Sequence, residues 1–382
     1  MTSERLLLGP GPSPVSARVM RALSEPVLSH LDPEMMTILD DVRRQLAWAF
    51  GAADTAFSLA ISGTGTSGME AAVANVTAPG TRALVVVTGY FGDRLAQIFQ
   101  RYGANVTRLD VEWGRACDPA MVERALSSAP ADIVAIVHAE TSTGVLNPVQ
   151  DIARIAADAG ALTVVDAVTS LGAMPLRTED WAIDVCYSCS QKGLGAPSGM
   201  APVSFSPRAL AKKTSSRSFY LDLALLEDYW VRRKYHHTIS APLVYALREA
   251  LAVVEEEGLE NRWARHRRNH LALAAGLDAL GLSLLPPAPE RLWTLNAVRV
   301  PDGVDEAAVR RRLLDDFSIE IGAGLGPLAG RIWRVGLMGA GSTLSNVLLF
   351  LSALERVLSS SGYRPIAANS AIAAAESAAT TQ

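Results

Sequence analysis

Lysine is scarce in this chain. Of its 35 basic residues only Lys192, Lys212, Lys213 and Lys234 are lysine, which leaves 31 arginines. Cysteine is scarcer: Cys117, Cys186 and Cys189 are too few for a disulfide framework. Cys186-x-x-Cys189 has the spacing of a redox or zinc pair, yet no other Cys or His lies near enough in sequence to complete a zinc set. The pair therefore reads as small packing residues beside Lys192, and no metal site is expected. No apolar run approaches the roughly 18 residues of a membrane span. No basic run offers a face to a phosphate backbone, and the net charge is −4, so neither a membrane nor a nucleic acid is an expected partner. The start, Met-Thr-Ser-Glu-Arg5, lacks the pattern of a secretory signal, and the end, Ala-Thr-Thr-Gln382, is not a Ser-Lys-Leu type address. A soluble, cytoplasmic protein is expected.

What is present begins with Lys192. It follows a short apolar run, Val185 to Tyr187, and precedes Gly193-Leu-Gly-Ala-Pro-Ser-Gly199, a loop too small-sided to shield a long cation. Arginine stays protonated at any working pH, whereas a desolvated amine can lose its proton and attack a carbonyl. One reading of Lys192 is a solvated residue after a strand; the other is a Schiff-base lysine.

A second stretch is Leu59-Ala-Ile-Ser62 followed by Gly63-Thr-Gly65-Thr-Ser-Gly68 and a helical segment from Met69. Strand, glycine turn and helix start make an anion site, with Ser62, Thr64 and Thr66 as added donors. The same residues spell G-x-G-x-x-G. A dinucleotide site would need an acidic side chain closing the next strand, but Ala83 to Val87 runs into Thr88-Gly-Tyr-Phe-Gly92 without one. A single phosphate fits better, and a purely structural glycine turn is the alternative.

Apolar strand-like runs at Asp132–His138, Leu162–Val168 and Asp184–Tyr187 alternate with helical segments. Continuous rather than alternating apolar strands imply an α/β fold, a mostly parallel sheet between helices. Ligands in such sheets sit at the carboxyl ends of strands. Ser62, Phe91, Thr141, Asp166 and Lys192 all fall there and are expected to converge. Asp166, in apolar surroundings, is either a structural salt bridge or helix cap, or the partner of a protonated pyridine nitrogen. Arg334, between apolar residues, is either solvated or a clamp for a substrate carboxylate. His236 and His237 are adjacent, so shared metal ligation is not expected. The length suggests more than one domain. An extended arm spans 1–20, a large domain 21–258, a smaller α+β domain 259–362, and an Ala/Ser/Thr-rich tail 363–382 is expected to be disordered.

Taken together, Gly9-Pro-Gly-Pro-Ser13, Ser62-Gly-Thr-Gly65, Glu140-Thr-Ser-Thr-Gly144, Val165-Asp-Ala-Val168, Ser190-Gln-Lys192, Tyr235-His-His-Thr238 and Arg334-Val-Gly-Leu-Met-Gly339 resemble the class V, fold type I pyridoxal-phosphate aminotransferases. Within them the chain is similar to the alanine–glyoxylate and serine–glyoxylate (serine–pyruvate) branch over nearly its whole length. The resemblance implies pyridoxal 5′-phosphate held as an internal aldimine on Lys192, which also shuttles the proton. It implies Asp166 on the pyridinium nitrogen, and Ser62, Gly63, Thr64, Gly65, Thr66 and Gln191 around the phosphate. Val168 would pack on one ring face and Phe91 on the other, with Thr141 on the ring hydroxyl. Gly11 and Arg334 would contact substrate. Tyr235 and Thr238 would reach the phosphate of a partner subunit, making the enzyme a homodimer with shared sites. Phe91 stands where a Trp is common and Thr66 where a His is common. The implied reaction is ping-pong transfer of the amine of alanine or serine to glyoxylate or pyruvate. Other donors in the family, ureidoglycine, pyridoxamine, aspartate or an aminophosphonate, are the alternative. A lyase on the same cofactor is a weaker one; a cysteine desulfurase would need a nucleophilic Cys in a downstream loop, and no Cys follows Cys189.

Overall fold

The computed structural model describes residues 4–363 and 370–380. Its centre is a seven-stranded sheet in the spatial order Phe57–Ser62, Met200–Phe205, Val185–Tyr187, Leu162–Asp166, Ile133–Val137, Arg82–Val87, Asn105–Asp110. All of these strands run the same way except Met200–Phe205, which is antiparallel to both neighbours. Ile133–Val137 and Leu162–Asp166 are buried along their whole length, as strands covered on both faces must be. The reversed strand carries Pro202, which argues against an interior strand in sequence. Its carbonyl nevertheless accepts from Ser188 N at 2.8 Å.

Local rules explain the covering helices. Pro33–Phe50 starts at an Asp32 cap with Pro at its first position and stops at Gly51, whose φ of 58° is left-handed. Met36, Leu39, Val42, Leu46 and Phe50 share its buried face. This helix lies against Ala241–Glu257. Gly258, with φ +77°, separates that helix from Leu259–Ala279.

Two main apolar cores result. One surrounds the large sheet, from Met35 to Trp263. The other lies beneath the three-stranded antiparallel sheet of Leu295–Arg299, Ile332–Gly336 and Gly322–Ala323, and includes Leu8 from the far end of the chain. Leu8 gets there because Leu6–Leu7 pairs in parallel with Ile319–Glu320. The proline-rich arm thus lies on its own chain. Proline and glycine govern only the next segment, Gly9 to Pro14, which runs on across the Lys192 loop.

One expectation needs correction. Within the 363–382 tail, Ser370–Thr380 is helical and packs along Leu259–Ala279 and Leu344–Ser360, burying Ala371 and Ala375. Its alanines are strong helix formers, and small side chains allow close approach to Gly276, where an added Cβ would lie 3.1 Å from Ala371 O. Residues 364–369 and 381–382 of that tail lie outside the described residues.

Candidate active site

Lys192 stands in the loop joining Val185–Tyr187 to the reversed strand. Two hydrogen bonds from the arm hold this loop: Ser13 N donates to Gln191 O and Ser13 Oγ to Lys192 O, both at 2.9 Å. The Lys192 amine donates to the Pro10 carbonyl. Burial holds that amine below the usual lysine range. Gly11, next in the arm, has φ +101°, and an added Cβ there would run into the Lys192 side chain.

Asp166 ends Leu162–Asp166 and is only 3% exposed. Its Oδ1 accepts from Val168 N at 2.8 Å, and burial pushes its carboxyl up to about 7. Lys192 and Asp166 line one cleft of about 160 Å³, together with Thr64, Gly65, Thr66, Phe91, Thr141, Val168 and Gln191. The expected convergence is therefore largely found. Ser62 ends its strand just outside, its Oγ 3.0 Å from His237 Nε2, and Gly63 N donates to Gly199 O at 2.8 Å.

The helix Gly65–Val76 opens into the cleft from Thr64 with no side-chain cap. Its first amides and the positive end of its dipole thus face the space where an anion would sit. Gly65 lets the helix start approach closely; a Cβ there would meet Val168 Cγ2 at 3.1 Å and Cys189 Cβ at 3.3 Å. Gln191 Oε1 is buried with no hydrogen-bond partner among the described residues.

Two residues, one behind this wall and one on it, have roles that sequence reasoning does not reach. Glu140, fully buried, accepts from Phe91 N (3.2 Å), Gly92 N (3.1 Å), Ser142 N (3.1 Å) and Ser142 Oγ (2.6 Å). It thereby caps Tyr90–Arg101 and fixes where Phe91 points. Arg94 lines the cleft one turn after Phe91. The i, i+3 spacing from Phe91 would have found it had the helix start at Tyr90 been placed.

Arg334 is 7% exposed, which removes the solvated reading. On Ile332–Gly336 it donates from Nε to Ala323 O (2.6 Å) and from Nη1 to Thr141 O (3.5 Å), so the smaller sheet reaches the edge of the cleft. Tyr235 and Thr238 do not join: both are exposed, Tyr235 at 65%, and neither lines the cleft of its own chain. His236 and His237 do not point apart. Their Nδ1 atoms are 2.8 Å from each other, because the backbone there is irregular rather than a strand.

A depressed amine, a raised carboxyl and an open helix start in one cleft suit proton transfer next to a bound anion. The comparisons agree with that chemistry. The model of the class V aminotransferases matches residues 7–329. The (S)-ureidoglycine–glyoxylate transaminase of Bacillus subtilis is 39% identical over 94% of this chain and 91% of its own length. The alanine–glyoxylate aminotransferase of Drosophila melanogaster is 37% identical over 94% and 93%. The crystal structure of an alanine–glyoxylate aminotransferase from Nostoc sp. superposes with a TM-score of 0.92 at 44% identity, over 94% of this chain and 96% of that one. The chain belongs to the class V aminotransferases, enzymes that use pyridoxal 5′-phosphate.

Proposed function

We propose that the protein transfers the amino group of a small L-amino acid, of the alanine or serine type, to glyoxylate or pyruvate. The observation that carries this reading is the opening of the Lys192 amine and the Asp166 carboxyl into one cleft below an uncapped helix start. Glyoxylate is supported as acceptor because it recurs in the names of relatives whose donors differ.

The residues fit pyridoxal 5′-phosphate. Asp166 is a buried carboxylate with no ion-pair partner among the described residues, as suits a pyridinium N–H. Thr64, Gly65 and Thr66 form a cradle that a Cβ at Gly65 would crowd. The cofactor, when bound, serves as the sink for the electrons left by the departing α-proton. Asp166 keeps the ring nitrogen protonated, which strengthens that sink. Lys192 holds the cofactor between turnovers and, once freed, moves the proton. Val168 and Phe91 would hold the ring, Thr141 would hydrogen-bond to it, and Arg334 would take the substrate carboxylate with Gly11 leaving room beside it.

A homodimer in the cytoplasm belongs to the same reading. It is supported by exposed Tyr235 and Thr238 near exposed Val27, Leu31, Phe219 and Tyr220, an aromatic face that a second copy would cover. No helix among the described residues is long and apolar enough to cross a membrane.

A second reading has its own observation: the 39% identity to the Bacillus subtilis enzyme favours ureidoglycine as donor. Stepwise addition of alanine, serine, aspartate and ureidoglycine to the holoenzyme, each followed by glyoxylate, separates the two. The productive donor bleaches the visible band of the bound cofactor and glyoxylate restores it. A band that no donor bleaches defeats the substrate assignment; no band after added cofactor defeats the whole reading.

A further inference from the structure

A phosphate monoester carries close to two negative charges at neutral pH. The side chains so far given to the cofactor phosphate, from Ser62, Thr64, Thr66, Gln191, Tyr235 and Thr238, are all uncharged. Lys192 points to Pro10 O, and Arg334 is tied to the carbonyls of Ala323 and Thr141. The remaining cation on the cleft wall is Arg94.

Arg94 is half-buried, and its Nη1 donates to Thr66 Oγ1 at 3.1 Å. Its guanidinium carbon lies 5.2 Å from the Phe91 ring centroid and 5.3 Å from that of Tyr90, so two aromatic rings limit its rotamers. The neighbouring carboxylate, Asp93, is taken by Arg108 at 2.6 Å, and among the described residues no carboxylate forms an ion pair with Arg94. One of its five N–H groups is used on Thr66, and the others remain for a ligand. Arg94 also touches both positions where the chain departs from the common family pattern. Thr66 itself brings no charge, so Arg94 is the cation nearest this side of the cradle.

We propose that Arg94 is the fixed counter-charge of the phosphate held at the start of Gly65–Val76. This rests on the reading of the cleft as the pyridoxal-phosphate site. It makes cofactor retention depend on a residue that Phe91 and Thr66 orient.

The test compares wild type, Arg94→Gln and Arg94→Lys as apoproteins. Each is titrated with pyridoxal phosphate, with pyridoxal, and with inorganic phosphate as competitor, by absorbance and by thermal shift. Arg94→Gln is expected to weaken pyridoxal phosphate by roughly tenfold to a hundredfold, the range for a lost charge-assisted hydrogen bond. It should leave pyridoxal unchanged, require more inorganic phosphate to compete, and flatten the salt dependence of binding. Arg94→Lys should recover much of the loss. Equal weakening of both pyridoxal compounds would make Arg94 a packing prop for Phe91 and overturn the proposal. So would unchanged affinity for pyridoxal phosphate. Wild-type apoprotein that takes up neither compound overturns the site assignment itself, an outcome visible without any variant.

Discussion

The amine of Lys192 donates to the backbone carbonyl of Pro10, a residue whose strand neighbours Leu6 and Leu7 pair with Ile319 and Glu320 in the smaller sheet. The loop that carries Lys192 is thus joined through the arm to the residues around the smaller sheet. Gly336 N closes the connection by donating to Leu8 O at 2.7 Å.

Gly11 sits where this link passes the amine. Gly11→Ala places a Cβ against the Lys192 side chain at a φ of +101°, a strain of about 1–3 kcal/mol. The variant is expected to fold, with a lowered melting temperature, a displaced cofactor band and reduced turnover. Wild-type spectrum and rate would show that the arm yields freely.

Lys192→Ala should lose turnover and the covalent cofactor band together, since no other lysine lines the cleft. An alanine variant that turns over with no added amine would sink the assignment of Lys192.

Asp166 gives the apoprotein a pH signature. Its carboxyl titrates at about 7 when folded against roughly 3.9 unfolded, so between these values the native state binds more protons. Stability is therefore lost as pH rises through that window, by on the order of 4 kcal/mol above pH 7. Asp166→Asn removes this loss. Urea melts of the two apoproteins should diverge from pH 4 to pH 8, with the variant gaining, while its holoenzyme loses most of its turnover. A pH-independent difference would show that Asp166 is not buried as a lone carboxyl.

Arg334→Lys should raise KM for amino acid and keto acid alike, on the order of tenfold to a hundredfold, because a point charge cannot grip a carboxylate with two parallel donors. The cofactor spectrum should not move. A changed spectrum with unchanged KM would place Arg334 on the cofactor side.

Removing residues 364–382 tests the terminal helix. Ala371 and Ala375 are fully buried against a core that includes Leu273, Leu277 and Leu351. Truncation should lower the melting temperature measurably and expose apolar surface to a dye. A tail of no structural consequence would leave both unchanged.

Much of the cleft was legible because strand ends are. Lys192, Asp166, Thr141 and Gly65 each follow an apolar run whose end marks the ligand-binding edge of a parallel sheet. Arg94 and Glu140 were not, because their roles depend on side chains meeting across separate segments: Glu140 on the amides of Phe91 and Gly92, Arg94 on Thr66. The reversed strand was hidden by Pro202. The terminal helix was hidden because its alanine-rich composition matches that of a linker, and its partner helix begins at Leu259.

The core beneath the three-stranded sheet joins distant parts of the sequence: Leu8 and Ala371 both belong to it. During synthesis the seven-stranded sheet, complete by Phe205, can condense as soon as its strands emerge from the ribosome. Leu6 to Leu8 must wait, unpaired, until Ile319 and Glu320 exist, and the helix Ser370–Thr380 docks later still. The arm that crosses Lys192 is therefore fastened only after Glu320 has been made, so a chain terminated before it can own the large sheet yet leave the Lys192 loop without its clasp.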